Sequence, residues 1–120
     1  MVVEMEQVLE ELNSDEPNYL EAAQLGPEAL PHLEVLVKSA DSLLASKATY
    51  MTSLIQDEKS VAILRIAAHS NFPEVRVAAA AACRNVRINA VNDVLNSLKN
   101  DQDSGVRRQA LKSIQSIGHS

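Results

Sequence analysis

Apolar residues recur along this chain at helical intervals, and alternation of the strand type is absent. Met5, Val8, Leu9 and Leu12 stand at i, i+3, i+4 and i+7. The same stripe returns as Leu30, Leu33 and Val37, as Val61, Leu64 and Ala68, and as Val91, Val94, Leu95 and Leu98. Between the stripes lie segments that open on helix-start residues: Asp15 before Pro17, Asp41 before Leu43-Leu44, Asn71 before Pro73-Glu74, and Asp103 before Val106. Stops are marked by Asn13-Ser14, by Gly26 ahead of Pro27, and by the polar clusters around His69-Ser70 and Asn100 to Gly105. The pattern predicts eight short helices and no strand.

The predicted helices repeat. Asn71-Phe-Pro-Glu-Val-Arg-Val-Ala-Ala79 overlays Gln102-Asp-Ser-Gly-Val-Arg-Arg-Gln-Ala110, pairing Val75 with Val106, Arg76 with Arg107 and Ala79 with Ala110 at a constant spacing of 31. One step back, the register lands on Leu44 and Ala48; Tyr19 and Ala23 are the nearest equivalents in the first unit, at a shorter spacing of 25. A unit of two short helices cannot close a core by itself, because each hairpin leaves a face uncovered. Stacking neighbours buries those faces in a continuous ribbon. At 120 residues the chain is expected to be one domain, with hairpins at about 1–26, 28–55, 58–87 and 90–117.

The segments Pro73-Glu-Val-Arg-Val-Ala-Ala79 and Asp103-Ser-Gly-Val-Arg-Arg-Gln-Ala110, each after a leucine- or valine-striped helix, resemble HEAT repeats of the short prokaryotic kind, including the phycobilisome-lyase-like ones. The resemblance covers roughly residues 28–117 and implies an all-α fold, a right-handed α-solenoid (α-α superhelix) of about four antiparallel hairpins. It also implies that Asn71 or Glu74, and Asp103, cap the second helices, and that Arg76 and Arg107 pack along a ladder between repeats. Ala45 and Leu20 stand where the first two units would need that arginine. Val75, Arg76, Ala79, Val106, Arg107 and Ala110 are thus the structural repeat motif. Independently of the family, the alanines of Ala78 to Ala82 suit a strong helix packed closely between neighbours.

Composition sharpens this picture. Apolar residues make up 46% and charged residues 22%, with only Phe72, Tyr19 and Tyr50 as aromatics and three glycines, which fits packed helices and leaves no place for a glycine-rich phosphate loop. No apolar run approaches the roughly 20 residues of a membrane span. A single cysteine, Cys83, and an acidic start without an export signal lead to the expectation of a cytoplasmic protein with no membrane association. The net charge of −5 conceals a polarity: residues 1–60 hold twelve acids and three lysines, whereas residues 61–120 hold four acids and eight bases. That balance, with so few stacking aromatics, argues against a nucleic-acid partner.

The sequence nominates no chemistry-bearing constellation. Cys83 falls two helical turns after Val75 on the core face and has no adjacent base. His32, His69 and His119 form no i, i+4 pair and no metal set. Asp101-Gln-Asp103-Ser-Gly105 resembles the start of a calcium loop, but position twelve is Lys112 where a bidentate glutamate belongs. Glu4, Glu6, Glu10 and Glu11 spread around a surface helix. The expectation is therefore no enzyme, no cofactor and no metal.

A surface stripe emerges instead. With Val75, Ala79, Cys83 and Val86 facing inward, the period of 31 aligns Ser46, Tyr50 and Ser53 with Val77, Ala81 and Arg84 and with Arg108, Lys112 and Gln115. The resemblance implies that second helices line a concave side, which makes this stripe the binding face. Tyr50, Ser53, Arg84, Arg108 and Lys112 are the expected partner-binding residues, Tyr and Arg being common interface anchors. The resulting expectation is a non-catalytic protein-interaction scaffold for a protein partner with an acidic segment, with head-to-tail self-association as a further possibility given the bipolar charge. The alternative, which only the resemblance suggests, is a partner or subunit of a phycobilisome-related bilin lyase system.

Overall fold

The computed structural model describes residues 2–87 and 89–118. Among them are eight α-helices and no strand: α1 (Met5–Leu12), α2 (Tyr19–Ala23), α3 (Leu30–Leu36), α4 (Ser42–Ser53), α5 (Glu58–Ala68), α6 (Pro73–Ala82), α7 (Val91–Leu98) and α8 (Ser104–Gly118). Short 3₁₀ turns precede α3 (Pro27–Ala29) and follow α6 (Cys83–Asn85). His119 lies outside the described residues.

Local chemistry sets most boundaries. The Asp41 carboxylate accepts hydrogen bonds from the N–H groups of Leu43 and Leu44 at 3.1 Å each, and Asp103 accepts from Gly105 at 2.8 Å and Val106 at 3.1 Å. Asp57 does the same for α5 through the N–H of Lys59. Gly26 takes φ +77° in the turn that separates α2 from Pro27, a backbone conformation in which a side chain is strained. Two expected caps are corrected. Asn18 rather than Asp15 caps α2, accepting from the N–H of Glu21, because the chain from Asn13 to Glu16 bends before the helix can begin. Neither Asn71 nor Glu74 caps α6: its N-cap is Phe72, whose side chain cannot accept, and Pro73 at the first helical position has no N–H to leave unsatisfied.

The helices pack in two layers. Second helices stack in the order α2, α4, α6, α8, and first helices in the order α1, α3, α5, α7, so each hairpin touches its sequence neighbours. The fold is an all-α, HEAT-like α-solenoid, 38 Å along its longest axis. The layers differ in composition. The first helices bury Leu30, Leu33, Leu64, Leu95 and Leu98, whereas the seam between second helices is built of Ala45, Ala48, Ala79, Ala80, Ala82 and Ala110. Small side chains let α4, α6 and α8 approach closely.

Buried polar groups are satisfied within this seam. Thr49 and Thr52 donate to the carbonyls of Ala45 and Ala48 at 2.7 and 2.8 Å, and Ser113 on α8 donates to the Ala80 carbonyl of α6 at 2.8 Å. Other bonds tie hairpin to hairpin. Lys47 donates to the carbonyls of Leu12 and Ser14 at the end of α1, and His32 Nε2 donates to the Val3 carbonyl.

Candidate functional site

The arginine ladder has two arms. Arg76 is held by the first turn of α6, from which its guanidinium crosses to the loop of the next hairpin and bonds both carboxylate oxygens of Asp101. A third nitrogen bonds the Ser70 carbonyl at 2.8 Å, six residues upstream. Arg107 repeats the upstream bond, donating to the Asp101 carbonyl at 2.7 Å and the Gln102 carbonyl at 3.0 Å. Burial pushes the Asp101 carboxyl up, but the hydrogen bonds from Arg76 and the Asp103 N–H, with the charges of Arg76 and Arg107, outweigh it and hold the group below the usual aspartate value. One hairpin earlier, Ala45 is buried at the arginine position. Sequence reasoning did not find Asp101 as the acid of the ladder. Its signal was present: Asp101 and Ser70, 31 residues apart, each stand six residues before an arginine.

The expected stripe is only partly a surface. Ser53 is fully buried, which corrects its assignment to the binding face: its hydroxyl donates to the Tyr50 carbonyl at 2.6 Å and accepts from Asn85 Nδ2 at 3.0 Å. Tyr50 is half-buried, its ring edge-on to that of Tyr19 with centroids 4.9 Å apart and planes at 67°. Burial, and then the neighbouring Tyr50, raise the Tyr19 pKa. Val77 and Ala81 are half-buried. Arg84, Arg108, Lys112 and Gln115 are exposed.

These exposed residues lie on the last two second helices, Arg84 in the turn that ends α6 and the other three on α8. Arg108 and Lys112 stand one turn apart on α8. Arg84 shares with Arg87 and Ser116 a depression of about 430 Å³, edged by Val86 and Val91, in which no acidic residue takes part among the described residues. Arg87, which the sequence reading did not single out, has its N–H held by the Gln56 side chain, and Gln56 in turn donates to the Asn85 carbonyl at 2.8 Å. The Arg108 and Lys112 side chains form no hydrogen bond or ion pair among the described residues. Leu111, between them, is 50% exposed. The repeat-motif residues Val75, Ala79, Val106 and Ala110 are fully buried, as their role requires.

Reactive side chains are held apart. Cys83 is buried, and desolvation pushes its thiol up to about 12. His69 Nδ1 donates to the Arg65 carbonyl at 2.8 Å. Among the described residues, no three His, Cys, Asp or Glu side chains come together as a metal-binding group, and no helix is long and apolar enough to cross a membrane.

No protein-family profile matches the chain, and no curated protein matches it. Among solved structures, the chain is similar to human deoxyhypusine hydroxylase in complex with glycerol: TM-score 0.74, 20% identity, covering 98% of this chain and 44% of that one. That protein is an all-helical HEAT-repeat protein, and at this identity the likeness shows the fold alone. The chain spans less than half the length of the structure it matches. The likeness also corrects one expectation. The matching solenoid belongs to an enzyme, so this architecture gives no ground for setting catalysis aside.

Proposed function

We propose that this solenoid binds an acidic segment of a protein partner along its second-helix layer, with Arg84, Arg108 and Lys112 as the charged contacts and Tyr50 at the far end of the face. The observation that carries this reading is the set of cations at the α8 end of the layer, exposed and without an acidic partner among the described residues. Unpaired cations on one surface raise the local positive potential and speed the encounter with an anionic segment. The resemblance to HEAT repeats implies that the second helices line the concave side, and the small residues packed between them suit a layer of closer spacing.

Affinity capture from a lysate of the source cells, comparing the natural protein with an Arg84→Glu, Arg108→Glu, Lys112→Glu variant, tests the reading. A partner retained by the natural protein and lost with the variant is expected, and its retention should weaken with salt. Equal capture by both proteins would sink the assignment of this face. Recovery of the protein alone would point to head-to-tail self-association between its acidic and basic ends. The bilin-related alternative rests on the sequence resemblance only. A change in visible absorbance on mixing with free bilin would be its signature.

A further inference from the structure

A second surface lies along the loops inside the hairpins. The loops that join α3 to α4 and α5 to α6 are stacked one repeat apart, and between them is a cleft of about 550 Å³. Its floor is apolar: Val37 is buried in the core, with Ile66 and Phe72 packed beside it. Its rim carries Lys38, Arg65 and His69, and among the described residues no acidic one lines it. Lys38 and Arg65 are exposed, and their side chains form no hydrogen bond or ion pair with any described residue. The His69 bond to the Arg65 carbonyl fixes the ring through Nδ1 and leaves Nε2 for a ligand.

A second depression of about 440 Å³, lined by Arg76, Asp101 and Gln102, shares His69, Ser70 and Asn71 with the cleft. Side by side, the two depressions form a groove bordered by three successive hairpin loops. Two repeat steps of about 9 to 10 Å match about six residues of extended chain at roughly 3.3 Å each. The two ends differ in charge. At the far end Asp101 is already occupied by Arg76, whereas at the near end two cations border an apolar floor and have no ion-pair partner among the described residues.

We infer that this groove binds an extended peptide segment of a partner protein, with a carboxylate side chain at the Lys38 and Arg65 end and an adjacent apolar side chain on the Val37, Ile66 and Phe72 floor. A carboxylate there gains charge-assisted hydrogen bonds, and the apolar neighbour removes hydrocarbon from water. The surface is distinct from the second-helix layer, so the two readings stand or fall separately.

Fluorescence polarisation with a fluorescein-labelled hexapeptide, Asp-Leu followed by four polar residues, tests it. Saturable binding is expected, at least tenfold weaker for the Asn-Leu version of the peptide and for the Lys38→Glu, Arg65→Glu protein. Circular dichroism on that variant, altered only at exposed positions, checks that it remains folded. The Arg84→Glu, Arg108→Glu, Lys112→Glu protein should bind the peptide undiminished. Three results would overturn the inference: no saturable binding up to about 1 mM, equal binding of the two peptides, or loss of binding only in the variant of the second-helix layer.

Discussion

The guanidinium of Arg76 holds the carboxylate of Asp101 through two bonds, Nε to Oδ2 at 2.9 Å and Nη2 to Oδ1 at 3.2 Å, across the junction of the third and fourth hairpins. Both side chains are largely withdrawn from solvent, at 15% and 13% exposure, so the pair is screened less than a surface ion pair. Removing the arginine leaves a sheltered carboxylate with two fewer donors. Arg76→Ala should therefore cost about 2 kcal/mol in urea unfolding, and a double-mutant cycle with Asp101→Ala should return much of it as coupling.

The same carboxylate makes stability pH-dependent. Its native pKa lies below the ordinary value of 3.8, so the unfolded chain binds the proton more readily. The stabilisation is fully present above that ordinary value and fades as pH falls through the lowered native one. Urea midpoints measured between about pH 5 and pH 2 should drop less steeply for Asp101→Asn than for the natural protein.

Ala80 and Leu111 occupy the same register position 31 residues apart, yet Ala80 is fully buried under α8 and Leu111 is half exposed. Enlarging Ala80 to Leu forces α6 and α8 apart and strains the Ser113 bond to the Ala80 carbonyl. It should cost about 1 to 3 kcal/mol or more, whereas Leu111→Ala should stay within about 0.5 kcal/mol. Thermal unfolding of the two variants distinguishes these outcomes.

Lys47 places its ammonium on the carbonyls of Leu12 and Ser14, fastening α1 to the second hairpin. Lys47→Met keeps the aliphatic stem and removes the donors. Amide exchange should then rise in α1 more than in α5 to α8, with a global loss near 1 kcal/mol or less.

Cys83 should resist thiol reagents in the folded state and react once urea opens the core. Desolvation lifts its pKa from 9.0 to about 12, so the folded protein disfavours the thiolate. The stabilisation belonging to the protonated thiol is complete below pH 9 and fades as pH rises toward 12. A native-state labelling rate equal to that of the unfolded chain would contradict this burial.

Much of the fold was legible because a solenoid is governed by short-range rules. The apolar stripes and the caps at Asp41 and Asp103 are statements about residues within one or two turns, the period of 31 repeats them along the chain, and the buried set Val75, Ala79, Cys83 and Val86 matches the inward face read from that pattern. The two misplaced caps, at Asp15 and Asn71, were settled by backbone direction: the chain bends through Asn13 to Glu16, and Phe72 rather than Asn71 enters α6. The candidate surface was legible only where exposure follows from the helical wheel alone, as for Arg84, Arg108 and Lys112. Ser53 sits on the same wheel, but Asn85 reaches it from the next hairpin.

The sequence by itself determined the helices, their repeat and the separation of acidic from basic residues, because each depends on composition and spacing along the chain. Which arginine finds a carboxylate, which serine is enclosed, and where unpaired cations meet an apolar floor were decided by the stacking of hairpins. Those outcomes join residues 25 to 33 positions apart, and the reach and direction of side chains across a helix seam are set only when the backbones have packed.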